Sequence, residues 1–161
     1  MRDGASYLQR DAIRPDPGGR FALVAARFNQ DIVDLLIKGC IEGFSANGIV
    51  ADRVDLYWTP GAFELPTVCG RLARAGRHRG IIALGTVIRG ETAHFEFVAG
   101  SAARGLVDVG VQTGVPTIFG VLTTETHQQA LDRACEGEDN HGYQWACSAI
   151  DMANLVTELD R

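Results

Sequence analysis

No apolar run in this 161-residue chain approaches the roughly 20 residues that a membrane-crossing helix needs. The opening Met1-Arg2-Asp3-Gly4 lacks the apolar centre of a secretory signal. Positive charge is scarce: 15 Lys and Arg against 20 Asp and Glu leave a net charge of -5 and a pI near 5.3. Nothing here neutralises a phosphodiester backbone in bulk, so nucleic-acid binding is not expected. Arg71, Arg74, Arg77 and Arg79 form the nearest thing to a basic patch, and a solvated helix end accounts for them, since the dipole favours cations there. The cysteines, Cys40, Cys69, Cys135 and Cys147, fall in predicted helices and form no CxxC pair. That spacing does not suit a metal, and reduced, half-buried thiols in a cytoplasmic protein fit it best.

What is present is ordinary globular material, 46% hydrophobic and 22% charged, long enough for one domain with a proper core. Residues 1–20 carry charges, Pro15, Pro17 and Gly18-Gly19 and read as a loosely ordered arm; residues 21–161 read as the domain. Apolar runs predict strands over Phe21–Ala26, Val54–Trp58, Gly80–Leu84 and Val115–Leu122. Helical spacing falls between and after them. Asn29 is placed to cap the first helix, Pro66 stands in the first turn of the second, and Thr123-Thr124 precede the fourth. The last helix carries Trp145, Ala149, Met152 and Val156 in register. Strands alternating with helices imply a parallel sheet covered on both faces, a three-layer α/β/α sandwich.

In such a sheet ligands bind outside the carboxyl ends of the strands. The turns there carry Phe28 and Asn29, then Gly61-Ala62-Phe63-Glu64, then the stretch from Thr86 to His94. Phe119 is expected near the end of the fourth strand, with Arg133 on the following helix. Phe28, Phe63 and Phe119 can frame a flat ring. The free amides before the helix at His94 favour an anion such as a phosphate, and Arg133 can hold one by paired N–H bonds. His94 can move protons near neutral pH. Taken singly, each residue has a structural role open to it: the aromatics as core, Glu64 as a dipole partner, His94 as a cap, Arg133 in a surface ion pair. Gathered at one sheet edge they read as a site.

The blocks Gly61-Ala62-Phe63-Glu64-Leu65-Pro66, Gly85-Thr86-Val87-Ile88-Arg89-Gly90-Glu91-Thr92-Ala93-His94-Phe95, Val115-Pro116-Thr117-Ile118-Phe119-Gly120-Val121-Leu122-Thr123 and Ala149-Ile150-Asp151-Met152-Ala153-Asn154-Leu155 closely resemble the 6,7-dimethyl-8-ribityllumazine synthase family. The resemblance runs from about Phe21 to the C-terminus. It implies a flavodoxin-like four-stranded parallel sheet and the penultimate step of riboflavin biosynthesis, in which 5-amino-6-ribitylaminouracil condenses with 3,4-dihydroxy-2-butanone 4-phosphate without metal or organic cofactor. By the same resemblance Phe28 stacks on the pyrimidine, and Ala62, Phe63 and Glu64 line the ribityl and ring pocket. Thr86 belongs to the same wall and Val87 and Ile88 flank the ring. Gly90, Glu91 and Thr92 meet the phosphate, and His94 transfers protons. Phe119 and Arg133 would arrive from an adjacent subunit of a homopentamer, to whose neighbour the N-terminal arm adds a strand. In the loop before the last helix, Cys135-Glu136-Gly137-Glu138-Asp139-Asn140-His141-Gly142, His141 stands where many bacterial members carry a substrate-touching lysine. The acidic form of that turn favours a pentamer over a sixty-subunit shell.

Other classes fit less well. A carrier of flavin or lumazine on the same scaffold would have no use for both His94 and Arg133. A flavodoxin would show a Ser/Thr-rich loop where Arg27-Phe28-Asn29 stands, and a receiver domain would show clustered acids at the strand ends.

Overall fold

The computed structural model describes residues 13–161. What was expected of residues 1–12 of the arm lies outside them. Four strands, β1 (Arg20–Ala26), β2 (Val54–Thr59), β3 (His78–Ile88) and β4 (Thr117–Thr124), form one sheet in the order β2-β1-β3-β4, every neighbouring pair parallel. The described helices are α1 (Gln30–Ala46), α2 (Leu65–Ala75), α3 (His94–Thr113), α4 (His127–Arg133) and α5 (His141–Leu159). This is the three-layer, flavodoxin-like α/β arrangement that the alternation of strands and helices implies.

The two layers follow from the two-residue period of a strand. Phe21, Leu23 and Ala25 of β1 turn to one side and pack with Ile82, Leu84, α1 and α5. Ala22, Val24 and Ala26 turn to the other and pack with Ile81, Ala83, α2 and α3. A strand covered on both faces must be apolar at every position, which is why Phe21 to Ala26 shows no alternation.

The α1–α5 contact is close because glycine makes it so. A Cβ on Gly142 would lie 2.1 Å from the carbonyl oxygen of Leu36, and one on Gly39 would lie 2.2 Å from Oδ1 of Asn140. Into that space the buried Asn140 side chain fits, accepting from the Gly142 amide at 2.7 Å as the cap of α5 and donating to the Leu35 carbonyl at 3.1 Å. A buried polar group is tolerated when its bonds are made.

The amino-terminal edge of the sheet is tied by charge. Arg20 grips Asp55 through Nε and Nη2, and Asp55 also meets Nε2 of the buried His78 at 2.9 Å. The Arg20 bond, helped by the His78 bond and opposed by partial burial, holds the Asp55 carboxyl far below its usual range. Residues 13–19 have no helix or strand. Arg14 is buried with Nε 2.8 Å from Asp151, Asn154 donates to the Pro15 carbonyl, and Arg53 pairs with Asp16, whose carboxyl it pulls down to about 2.

Local readings that the structure corrects concern element ends. β3 runs on to Ile88, so Gly85-Thr86-Val87-Ile88 is strand and the turn is confined to residues 89–93. Asn29 adopts φ 55° and caps nothing with its side chain, and α4 is capped by a box of Thr126 and Gln129 rather than by Thr123-Thr124. Cys135 lies beyond α4, outside any helix, and Met152 faces solvent while Ile150 and Ala153 fill the core.

Candidate active site

From β1 the chain passes to β2 on one side and then to β3 on the other, so the connections part above the carboxyl ends of β1 and β3. That is where an open α/β sheet has its crevice. Here it is a cleft of about 770 Å³, walled by the three turns that follow β1, β2 and β3.

The first turn supplies Ala26, Phe28 and Asn29. Asn29 is the single non-glycine residue at positive φ among the described residues, a conformation that asparagine tolerates better than most. Its side-chain amide donates to the Thr86 carbonyl at 2.8 Å, tying the first turn to the end of β3. Phe28 beside it is 74% exposed. A large ring left in water at a cleft mouth is the informative kind of exposure.

The second turn supplies Gly61, Ala62, Phe63 and Glu64. It is braced from below, with the Thr59 hydroxyl donating to the Gly61 carbonyl at 2.9 Å and the Arg27 amide to the Thr59 carbonyl at 2.9 Å. Ala62 is buried, whereas Phe63 is 59% exposed and faces the same cleft as Phe28.

The third wall is the end of β3 and the start of α3: Thr86, Val87, Ile88, Gly90, Thr92 and His94. The Thr86 hydroxyl is buried and makes no hydrogen bond among the described residues. Leaving such a group unpaired is costly, so it stands ready for an added partner. Among the described residues the backbone amides of residues 90–93 find no partner, and the His94 amide reaches the Thr92 hydroxyl at 3.4 Å. A Cβ on Gly90 would meet nothing within 4 Å. Free amides at the positive end of the 20-residue α3 favour a negative charge beside them. His94 is exposed in that first turn.

Arg89 closes the turn on its outer side. Its amide donates to the Thr124 carbonyl at 2.9 Å. Its guanidinium pairs with Glu96 on α3 and with Glu125 beyond β4, the latter at 2.9 Å, and lies over the Phe95 ring. The Arg89 bond holds the Glu96 carboxyl below its usual range, and the two carboxylates raise the guanidinium above its own.

Sequence reasoning missed Phe95, Phe97 and Val98, which complete the wall from α3. Phe97 is 70% exposed, and the signal for it was a second aromatic two positions after Phe95, off the buried helix face. Four expected residues do not line this cleft: Glu91, Phe119, Arg133 and His141. Phe119 is not near the end of its strand. It is third in β4, opposite Ala83, five residues short of the carboxyl end and so about 17 Å away along the strand. The Arg133 guanidinium bonds the Gln129 carbonyl of its own helix at 2.8 Å, and His141 meets Trp145 edge to face. A second hollow, about 820 Å³, follows the α2–α3 seam past Arg71 and Arg74; it lies beside the helices, away from the strand ends, and no aromatic lines it. Among the described residues no group of His, Cys, Asp and Glu is arranged to hold a metal ion, and no helix is long and apolar enough to cross a membrane.

Comparison with known proteins matches residues 18–157 to the family model of 6,7-dimethyl-8-ribityllumazine synthase. Among curated proteins, the 6,7-dimethyl-8-ribityllumazine synthase of a Synechocystis species is 50% identical over 144 residues, covering 87% of this chain and 87% of that protein.

Proposed function

Because the chain belongs to the 6,7-dimethyl-8-ribityllumazine synthase family, enzymes of the transferase class acting in riboflavin biosynthesis, we propose that it condenses 5-amino-6-ribitylaminouracil with 3,4-dihydroxy-2-butanone 4-phosphate. The products are 6,7-dimethyl-8-ribityllumazine, phosphate and water, the penultimate step of the pathway. The single observation that carries the reading is the joining, in one cleft, of an exposed ring wall from Phe28 and Phe63 to a turn, at Gly90 and Thr92, whose amides have no partner among the described residues. One half suits a flat heterocycle, the other an anion.

The chemistry follows from that pairing. The pyrimidine lies against Phe28, between the turn of Ala62, Phe63 and Glu64 and the strand end of Thr86, Val87 and Ile88. The phosphate of the butanone sits on the amides of Gly90, Glu91 and Thr92, with the Glu91 carboxylate turned out to water. The amine attacks the ketone and one water leaves as the imine forms. Phosphate is then expelled, and the ribityl-bearing nitrogen closes the ring with loss of a second water. Each stage moves a proton, which is the work of His94. Most of the acceleration comes from fixing two reactants in one orientation, worth up to about 7–11 kcal/mol where geometry is ideal. The chain supplies this without metal or organic cofactor.

Phe119, Arg133 and His141 belong to the cleft of an adjacent subunit. Their absence from the lining of their own chain's cleft supports this, as does the exposure of Phe119 on an edge strand. The assembly is a homopentamer with sites between neighbours, in which residues 1–20 form an arm that pairs with a neighbour and residues 21–161 form the catalytic domain. The protein works in the cytoplasm. Steady-state assay of the lumazine chromophore tests the proposal. Wild type turns over, and Arg133→Ala raises KM for the butanone phosphate at least tenfold while the pyrimidine KM changes little. Wild type that binds lumazine or riboflavin tightly but makes none would overturn it in favour of a carrier.

A further inference from the structure

Gly90 to Ala93 are the residues that would hold an anion, yet among the described residues their own bonds are few: the His94 amide reaches the Thr92 hydroxyl, and the Ala93 carbonyl accepts from the Glu96 and Phe97 amides as α3 begins. The constraint comes from Arg89. Its amide extends the β3–β4 ladder by one bond, to the Thr124 carbonyl. Its Nε lies 3.1 and 2.9 Å from the two oxygens of Glu125, and Nη1 reaches Glu96 in the opening turn of α3. The guanidinium carbon lies 4.3 Å from the centre of the Phe95 ring. One side chain thus ties three segments: the end of β3, the first turn of α3 and the corner after β4. The turn of free amides is strung between the residue that makes these ties and the helix they secure.

We infer that Arg89 is a positioning residue for phosphate recognition, its double ion pair with Glu96 and Glu125 fixing the β3–α3 turn so that its amides converge on the anion. This rests on the placement of the phosphate at that turn. All three side chains are substantially exposed, so the pairs add little to global stability. Their effect is local order, since an anion site made of backbone amides binds well only when their directions are set beforehand. The planar fork of arginine meets two carboxylates at once, and a lysine, a single compact charge, would keep one.

The test separates order from charge. Removing Arg89 deletes a cation near the phosphate and would weaken binding on either account. Removing Glu125 deletes an anion. Bare electrostatics then predicts tighter phosphate binding, whereas loss of the clamp predicts weaker binding. Inorganic phosphate is titrated calorimetrically into wild type, Arg89→Met, Arg89→Lys and Glu125→Met, and both KM values are measured for each. The expected result is a Kd for phosphate at least tenfold higher in Arg89→Met, with the KM for the phosphorylated substrate rising in parallel and the pyrimidine KM held within twofold. Arg89→Lys recovers only part of the loss, and Glu125→Met weakens phosphate binding at least threefold. Phosphate binding that is unchanged or tighter in Glu125→Met overturns the inference, as does an equal rise of both KM values in Arg89→Met. If wild type makes no lumazine the functional reading fails, and the phosphate titration still decides the role of Arg89.

Discussion

Gly142→Ala probes the closest approach to a glycine among the described residues. The new methyl would lie 2.1 Å from the Leu36 carbonyl oxygen and 2.9 Å from both the Leu36 carbonyl carbon and Oδ1 of Asn140. Ordinary contact needs about 1 Å more, and the nearest obstacle is backbone in mid-helix, which cannot swing aside as a side chain can. Either α1 and α5 separate, loosening the packing of Leu36, Cys40, Phe44, Ala146 and Ile150, or α5 frays at its cap. Overpacking of this kind costs about 1–3 kcal/mol. Displacing Asn140 from the Gly142 amide and the Leu35 carbonyl adds about 1 kcal/mol for each bond lost. Against this, alanine gains up to about 1 kcal/mol over glycine in a helix. The net loss is about 2–4 kcal/mol, a large share of the 5–15 kcal/mol of a typical domain. Urea unfolding followed by far-UV circular dichroism, at one protein concentration for both proteins, should show a lower midpoint with an unchanged slope. The thermal midpoint should fall by roughly 5–15 °C. A loss below about 0.5 kcal/mol would mean that the helices part freely, and the argument from Gly39, Asn140 and Gly142 would fail.

Two further outcomes follow from charge and from assembly. Asp55 has its folded-state pKa depressed by Arg20 and His78, so its contribution is fully present above the ordinary 3.8 and is lost as pH falls below it. Asp55→Asn should therefore be less stable than wild type at pH 6, with the gap narrowing steadily under acid unfolding below pH 4; a gap that stays constant would refute the linkage. For sites shared between subunits, co-expression of His94→Gln with Arg133→Ala should, at low butanone phosphate, give more activity than either variant has alone, since random mixing in a ring leaves about a quarter of the interfaces with both residues intact. Activity no higher than that of the separately made variants would place Arg133 and His94 in the same chain's site.

The fold was legible where burial is continuous. Phe21–Ala26 and Gly80–Leu84 read as strands because nothing polar interrupts them, and α2 ends at Gly76 because that residue takes φ 68°. The far end of β3 was not legible. Gly85 and Thr86 look like turn residues, but pairing with Val121 and Leu122 of β4 keeps them in the ladder, a tertiary contact that overrides local preference. Asn29 misled for a related reason: its side chain has a better partner, the Thr86 carbonyl, 57 positions away. The α4 cap, by contrast, could have been read, since Thr126-x-x-Gln129 is a capping box in plain sequence. Of the candidate site, the expected residues of the three strand ends, Glu91 apart, line one cleft, because a parallel sheet delivers every such turn to the same edge. Phe119 lies further from the strand's end than expected because β4 begins and ends two residues later than the apolar run Val115–Leu122, and it is a position along a strand, not a motif, that decides which cleft a side chain can reach.

If the proposed reaction is the one this cleft performs, its charges argue that one chain would not suffice. Among the described residues its lining holds no lysine or arginine, and the carboxylate there is that of Glu64. The amides at the start of α3 amount to about half a positive charge, enough to orient a phosphate but not to neutralise a departing dianion. Arg89, the nearest cation along the chain, is already committed to two carboxylates. A further cation must therefore come from beyond this cleft. Arg133 is suited to supply it, because its guanidinium bonds only a backbone carbonyl of its own helix and turning outward breaks no ion pair among the described residues. On this argument the neighbouring subunit is part of the leaving-group chemistry. Isolated subunits would retain the ring wall and the amide turn, and so bind both substrates weakly, while lacking the charge that lets phosphate depart.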